Sequence, residues 1–208
     1  MKSKRLLPFI LLSFFLAQYA ISQTADEDAI KEKIENFRNA LNQQMMDAET
    51  SPLSTEQLAN FPGLSFFPTD LNYRVEATFK AEVPEKEVSL NTTSGGKLKL
   101  KNVGTVTFEL NGKTHSLAVF RNDTLPEFDR PQQLFIPFTD KSSGTETNKL
   151  GRYLVIDQPN ENNQVIVDFN MARNPFNAYN SNYSSVIPPS KNSMSQTITA
   201  GERKFEDR

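Results

Sequence analysis

The sequence predicts a mainly β protein, built as a single antiparallel β-sandwich or a partly open β-barrel with an N-terminal α-helix packed on it. Apolar residues recur every three or four positions from Ile30 to Met45, which indicates one amphipathic helix. From Tyr73 onward they recur at every second position, which is the period of a β-strand with one solvated face. Turn signals such as Asn111-Gly112 separate the later runs, so we expect roughly seven to nine short strands.

The first 22 residues form a predicted signal peptide that is cleaved on export. Lys2, Lys4 and Arg5 precede a short apolar run, and Ala20-Ile21-Ser22 supplies the small residues of a cleavage site. The apolar run is too short to span a bilayer comfortably. We therefore expect a mature chain that begins near Gln23, without a membrane anchor, in a periplasm or outside the cell.

Composition limits the partners of the mature chain. The absence of cysteine excludes disulfides and a lipid-modified cysteine. Removal of residues 1–22 takes away three of the 23 basic residues and none of the 25 acidic ones, which leaves a net charge of −5. That charge argues against nucleic acid or an anionic membrane as partner. The remaining residues, 23–208, fit one β-rich domain.

The predicted N-terminal helix covers about residues 25–47. Thr24-Ala25-Asp26-Glu27 has the spacing of a capping box. The apolar stripe that follows is typical of a helix packed on its own domain rather than on a partner. Ser54-Thr55-Glu56-Gln57 repeats the capping signal and predicts a second, shorter helix.

The first predicted strand covers residues 73–83 and ends at Pro84, and two more follow around 88–90 and 98–100. Asn111-Gly112 predicts a type I′ hairpin, because both central positions of that turn need a positive φ. This turn pairs Phe108 with His115 and so places the only histidine on the apolar face. A histidine there is more typical of a hydrogen-bonded core residue than of a catalyst.

The residues 134–138 form a further strand, which ends in a turn that begins at Asp140. The aspartate is suited to cap that turn by accepting backbone N–H bonds. The turn loosely resembles a calcium-binding loop, but the later ligand positions do not follow, so the sequence favours a plain turn and predicts no metal site.

Two charged residues interrupt apolar strand runs, Arg152 in 151–156 and Asp168 in 165–170. If the two runs form a hairpin about a loop centred on Asn160, Arg152 lies opposite Asp168. Such a pair is a structural ion pair, the anchor for an anionic group of a ligand, or part of a catalytic site. The candidate polar cluster, for ligand binding or for structure, is Arg152, Asp168, Asn170, Asn174, Asp140 and Glu202.

Long motifs run through the second half of the chain: Leu134-Phe135-Ile136-Pro137-Phe138, Asp140, Gly144, Thr147, Gly151-Arg152-Tyr153-Leu154, Asp168-Phe169-Asn170, Asn174-Pro175, Ala178-Tyr179, Pro188-Pro189, Asn192 and Ala200-Gly201-Glu202. With them the chain resembles the bacterial "domain of unknown function 1684" family of uncharacterised exported proteins. Shorter upstream motifs extend the resemblance over nearly the whole mature chain. The resemblance implies no activity.

The chain departs from this family pattern at two positions that are often cysteine, where it has Asn177 and, near the Pro-Pro pair, Ser185. Their joint loss suggests a disulfide that was replaced as a unit rather than a catalytic thiol. A tyrosine that the pattern places after Thr147 is Asn148 here, which puts in doubt an aromatic role for that loop.

The sequence lacks a cysteine nucleophile, a histidine-rich metal set, a phosphate-binding glycine loop and a Gly-x-Ser-x-Gly elbow. We therefore expect an exported protein without cofactor, whose favoured role is non-catalytic binding of a small molecule or cell-envelope component. The alternative is a carboxylate-dependent hydrolase acting on a saccharide or ester near Arg152 and Asp168, because two carboxylates suffice for glycoside hydrolysis.

Overall fold

The computed structural model describes residues 8–121 and 133–206, with side chains described from Ala25 onward. Two α-helices come first, α1 at Pro8–Met46 and α2 at Thr55–Ala59. The strands are β1 at Arg74–Asn91, β2 at Lys97–Leu110, β3 at Lys113–Arg121, β4 at Leu134–Phe138, β5 at Arg152–Ile156 and β6 at Gln164–Asp168.

The strands form one antiparallel sheet with the order β5-β4-β3-β2-β1-β6. This sheet curls into a half-barrel, and α1 packs against it from Ala25 onward. The predicted mainly β fold with a packed N-terminal helix is confirmed, and of the two expected forms the sheet adopts the partly open barrel. The described residues contain six strands, fewer than expected, because β1 runs through a predicted break.

That break is at Pro84, where we expected the first strand to end. Instead β1 continues to Asn91, and its pairing with β2 shifts register between Ala81 and Lys86. Proline has no N–H to give to the ladder, so the register shift removes it from regular pairing without ending the strand. The two strands predicted at 73–83 and 88–90 are therefore one.

The turn at Asn111-Gly112 is confirmed, with φ values of 49° and 70°. Phe108 pairs with His115 in the predicted register. The His115 ring stacks on Phe108 with 5.7 Å between ring centroids. Its Nε2 has no hydrogen-bond partner among the described residues, so stacking rather than a hydrogen bond holds this histidine on the apolar face.

The predicted hairpin between the runs at 151–156 and 165–170 is wrong. β5 pairs with β4, with Phe138 opposite Arg152, and β6 pairs with β1, with Arg74 opposite Asp168. Arg152 and Asp168 thus lie at opposite edges of the sheet. Strand alternation fixes which face a side chain takes but not which strand lies alongside, so the same pattern fitted both pairings.

No ladder joins the two edge strands among the described residues, but the segment that follows β6 bridges to β5. Arg173 in that segment forms a bridge to Tyr153 of β5, with N···O distances of 2.8 and 3.0 Å. The half-barrel is therefore closed at this point by a short backbone contact, and α1 lies over the gap that remains between β5 and β6.

Both faces of the sheet carry a buried apolar cluster. The inner face carries the larger core, with Val106, Ile136 and Val167 fully inaccessible to solvent. The other face carries a smaller core around Phe120 and Phe135, covered by the segment that contains Val186. The chain after β6 has no further strand among its described residues and instead wraps over both faces.

The apolar stripe of α1 faces the domain, as predicted, with Ile34, Leu41 and Met45 buried. The helix begins at Pro8, so the capping signal at Thr24 does not mark its start, although its end at Met46 lies close to the predicted one. Among the described residues, no helix combines the length and hydrophobicity that crossing a membrane requires. Cleavage near Gln23 stays a prediction, and residues 1–7 of the predicted signal peptide lie outside the described residues.

Candidate functional site

Arg152 is the centre of a sealed polar cluster and has no exposed surface. Its Nη2 contacts Asp140 Oδ2 at 3.0 Å, and the side chains are 0% and 1% exposed. Nη1 donates to the carbonyls of Ala200 at 2.5 Å and Glu202 at 3.1 Å, and Nη2 also donates to the carbonyl of Ile198 at 3.1 Å. One guanidinium therefore fastens the C-terminal strap, which we define as residues 198–204, to the sheet.

Asp140, rather than Asp168, is the partner of Arg152. β4 ends at Phe138, which pairs with Arg152, so the chain delivers Asp140 to the guanidinium just beyond the strand. Asp140 Oδ1 accepts from Ser142 N at 2.7 Å, Ser142 Oγ at 2.6 Å and Ile198 N at 3.2 Å. The predicted turn cap at Asp140 is confirmed, and both carboxylate oxygens are fully engaged.

Burial dominates the electrostatics of this cluster. Desolvation lowers the pKa of the Arg152 guanidinium, and the neighbouring charge of Asp140 opposes that shift. An arginine stays protonated even so, and its charge is balanced by a carboxylate at hydrogen-bond distance. Since neither side chain contacts solvent, the arrangement is suited to bracing the fold rather than to meeting a ligand.

Glu202 lies on the strap beside the Arg152 cluster and is 1% exposed. Its Oε1 accepts from Asn174 Nδ2 at 2.8 Å and from the Tyr179 hydroxyl at 2.5 Å, while Oε2 accepts from Asn174 N at 2.8 Å. Burial raises the pKa of Glu202 to about 7, although these donors pull it down. Burial and the adjacent carboxylate also raise the pKa of Tyr179 well above its usual value.

Gly201 explains how the strap fits so closely. Its φ is +77°, and a Cβ there would lie 2.6 Å from the carbonyl oxygen of Phe169. Only glycine combines this left-handed backbone with such an approach. The motif Ala200-Gly201-Glu202 thus places the Glu202 carboxylate and the strap carbonyls where Asn174 and Arg152 reach them.

Asp168 belongs to a different cluster. Its Oδ1 accepts from Asn170 N at 3.0 Å and Asn170 Nδ2 at 2.9 Å, which caps the 3-10 turn after β6. The Asn170 side chain in turn bonds both backbone groups of Asp70, accepting from N and donating to O, each at 2.9 Å. Asp168 Oδ2 lies 3.5 Å from Arg74 Nε.

The candidate residues therefore separate into three groups. Arg152 with Asp140 and Glu202 with Asn174 adjoin one another through the strap. Asp168 with Asn170 lies apart, at the β6 edge of the sheet. None of the groups forms the single Arg152–Asp168 site that the sequence suggested.

A cleft of about 350 Å³, which we call the α1 cleft, lies over the gap between β5 and β6. Its apolar wall comes from α1 on one side and from the two edge strands on the other, and comprises Ile30, Ile34, Phe37, Val155, Ile156 and Ile166. Its charged groups are Lys33, Arg74, Arg173, Asp157 and Asp168. Asp168 is the one predicted residue that lines it.

Arg74 is the functional candidate that the sequence analysis missed. Its side chain is 27% exposed, and its Nε lies 3.5 Å from Asp168 Oδ2. Among the described residues, Nη1 and Nη2 of Arg74 have no hydrogen-bond partner. Strand alternation placed Arg74 on the polar face of β1, but its neighbours in the sequence did not distinguish it from Lys80 farther along that strand.

A second cleft, of about 490 Å³, lies between the 62–65 loop and the strap. Glu202 contributes to its lining, yet both carboxylate oxygens already accept from Asn174 and Tyr179. Its rim charges are also paired, Arg203 with Glu146 at 3.8 Å. The larger cleft therefore offers fewer unsatisfied groups than the α1 cleft.

Asn177 and Ser185, where the resemblance implies a disulfide, are in contact. The backbone N–H of Asn177 donates to Ser185 Oγ at 3.2 Å, and Ser185 is fully buried. A hydrogen bond from backbone to side chain thus joins the two segments at this point.

Comparisons with known proteins bear on the family and the fold of this chain. A family model described as "Protein of unknown function (DUF1684)" matches residues 59–203. The solution NMR structure of an uncharacterized protein from Haloarcula marismortui is similar, with a TM-score of 0.69 and 31% sequence identity over 86% of this chain and 96% of that one. The search of curated proteins found no match. By the extent of the family match, the chain belongs to the DUF1684 family of proteins of unknown function.

Proposed function

We propose that this protein is a non-catalytic binding protein that holds a small molecule or a cell-envelope component in the α1 cleft. The observation that carries the proposal is the cleft itself, a concavity of about 350 Å³ with an apolar wall and a few charged groups at the gap of the half-barrel. Ligand sites of small-molecule binders have this size and this mixture of surfaces.

The state of the buried carboxylates supports a non-catalytic role. Asp140 and Glu202 are 7% and 1% exposed, and their oxygens accept hydrogen bonds from neighbouring donors. A general acid or base must reach the proton it transfers within hydrogen-bond distance. A hydrolase that used Arg152 and Asp168 together would need its substrate to reach Arg152, which has no exposed surface and does not line the α1 cleft.

We also propose that the protein is exported and that cleavage occurs near Gln23. The basic residues at positions 2–5, the short apolar run and the small residues Ala20 and Ser22 support this. The wall of the α1 cleft begins at Ile30, so cleavage would leave the cleft intact. Mass spectrometry of the protein from a secreting host is expected to give a mature start near Gln23, and retention of residues 1–22 in cells and medium would contradict export.

A thermal-shift screen against a metabolite library tests the binding function. Ile166 is 37% exposed in the cleft wall, so Ile166→Trp narrows the cleft without overfilling the core. Val83 is 86% exposed outside the cleft, so Val83→Trp is the matched control. We expect a ligand to raise the melting temperature of the wild type and of Val83→Trp but not of Ile166→Trp.

Two outcomes would count against the binding function: no compound stabilises the wild type, or stabilisation survives in Ile166→Trp. Turnover of a saccharide or ester by the wild type, lost in a cleft variant of unchanged stability, would favour the hydrolase instead.

A further inference from the structure

We infer that the ligand of the α1 cleft is a single-chain amphiphile with one anionic headgroup, held by the terminal nitrogens of Arg74 and by Lys33. This inference rests on the proposed binding function and assigns its ligand class. Three features of the cleft carry it. Among the described residues, Arg74 has an unused donor fork and Lys33 has no carboxylate partner, and an apolar wall lies between them.

Arg74 is the main anchor. Asp168 faces its Nε at 3.5 Å, which is an ion-pair distance but too long for a good hydrogen bond. Asp168 Oδ1 is already committed to Asn170. Nη1 and Nη2 have no hydrogen-bond partner among the described residues, and the side chain is only 27% exposed. A carboxylate or phosphate bound across these two nitrogens would make the charge-assisted, bidentate contact for which arginine is suited.

Lys33 supplies the second cation. It lies on α1 between Ile30 and Phe37, which both line the cleft. Within the described residues, no carboxylate lies within ion-pair distance of its Nζ, whereas Lys31 on the same helix contacts Glu27 and Asp28, each at 3.7 Å. Of these two helix lysines, the one on the cleft is the one left without a counter-charge.

The charges around Arg74 and Lys33 favour a headgroup with a single negative charge. Two carboxylates, Asp157 and Asp168, also line the cleft. A monoanion can contact the two cations, whereas a polyanion would be repelled by the carboxylates and a cation by Arg74 and Lys33.

The apolar wall calls for a hydrophobic tail on that headgroup. Ile34 and Ile156 are 1% and 6% exposed at the base of the cleft, and Phe37, Val155 and Ile166 are more accessible above them. A hydrocarbon chain laid along this wall would bury apolar surface on both partners. A single chain suits the small volume of about 350 Å³.

Isothermal titration calorimetry with sodium decanoate, 1-decanol and decyltrimethylammonium, each below its aggregation concentration, tests the assignment. We expect decanoate to bind most tightly and decanol at least about tenfold more weakly, because the charge-assisted contacts are lost. Arg74→Gln is expected to weaken decanoate binding about tenfold or more, and Arg74→Lys less. Lys33→Gln is expected to weaken it severalfold, and the matched variant Lys31→Gln to leave it unchanged.

The failures of the two proposals are distinguishable. If decanol binds as tightly as decanoate and Arg74→Gln changes neither affinity, the cleft binds apolar ligands and the anionic assignment is overturned while the binding function stands. If no decyl probe and no library compound binds, both proposals fall. Cosedimentation with phosphatidylglycerol vesicles that excess decanoate does not release would assign the cations to a membrane surface and overturn the free amphiphile.

Discussion

Two arginines at opposite edges of one sheet each contact an aspartate, and they differ in almost everything else. Arg152 at the β5 edge is fully buried, contacts Asp140 at 3.0 Å and donates to three strap carbonyls. Arg74, on β1 beside the β6 edge, is 27% exposed, and its Nε lies 3.5 Å from Asp168 Oδ2. Arg152 Nε also lacks a hydrogen-bond partner among the described residues, but it is buried. Unused donors that solvent can reach, rather than the presence of an ion pair, therefore separate a structural arginine from one that can hold a ligand.

The same contrast holds for the energetics. Removing one partner of a buried ion pair leaves a charge in a dry interior, which typically costs about 3–5 kcal/mol. A partly exposed pair contributes only about 0–1 kcal/mol, because water solvates whichever partner is left. Substitution of Arg152 should therefore change mainly the free energy of unfolding, whereas substitution of Arg74 should change mainly ligand affinity.

The largest expected effect is at Arg152. Arg152→Met leaves the buried charge of Asp140 without its partner. It also leaves the carbonyls of Ile198, Ala200 and Glu202 without their donor. We expect a loss of about 3–5 kcal/mol in the free energy of unfolding, measured by urea denaturation. Arg152→Lys should recover only part of it, because one ammonium cannot reproduce the planar fork. A loss of stability below about 1 kcal/mol, the size expected for an exposed ion pair, would show that Arg152 is not a structural residue.

The next effect is the pH dependence conferred by Glu202, whose pKa of about 7 in the folded protein exceeds its unfolded value of roughly 4.3. Between these values the folded state binds a proton that the unfolded state does not, so stability falls as pH rises from about 4 to 7. The full contribution is on the order of 3 kcal/mol. Denaturation at several pH values should show a slope that Glu202→Gln flattens and the control Asp168→Asn keeps.

An intermediate effect is expected at Asn170, which is fully buried and bonds both Asp168 and the backbone of Asp70. Asn170→Ala removes both hydrogen bonds to the backbone of Asp70 and leaves those groups unsatisfied. We expect a loss of about 1–3 kcal/mol by chemical denaturation. The exposed Asn72, which donates to the Asp70 side chain, provides the control, and Asn72→Ala is expected to cost far less. Equal losses of stability from the two variants would show that the burial of Asn170 does not determine the cost of losing its hydrogen bonds.

The smallest effect on stability is expected at Arg74. Arg74→Gln should change the free energy of unfolding by less than about 1 kcal/mol, and the difference should shrink at high salt. The same variant is the one expected to lose decanoate binding, so stability and affinity would separate at this residue. A loss of stability as large as that of Arg152→Met would contradict the difference between the two arginines and show that Arg74 is a structural residue.

Much of the fold could be predicted because it depends on local patterns. The Asn111-Gly112 turn fixed the β2–β3 register, and the buried face of α1 followed from the spacing of its apolar residues. Asp140 was correctly expected to cap its turn, since an aspartate at such a position bonds the N–H two residues on. Each of these outcomes involves residues close together in the chain.

The candidate site was harder to predict because it depends on which strands lie side by side. One signal pointed the right way: the strand that ends at Phe138 and the strand that begins at Arg152 are consecutive, and consecutive strands often pair. The later pair, β5 and β6, is also consecutive, so this rule alone did not decide between them. Arg74 was missed because its place on the cleft, and so its proposed role as an anchor, comes from α1, β5 and β6 meeting around it.

By itself, the sequence determined the mainly β class, the face that each strand and α1 presents, and the presence of charges that need partners. The tertiary structure alone decided that Arg152 meets Asp140, that Asp168 meets Arg74, and that the α1 cleft opens beside the second pair. The physical reason is that periodicity constrains the direction of a side chain within its own element. Partner choice is instead settled by the packing and hydrogen bonding of the whole sheet, which closes only one of the pairings that the pattern permits.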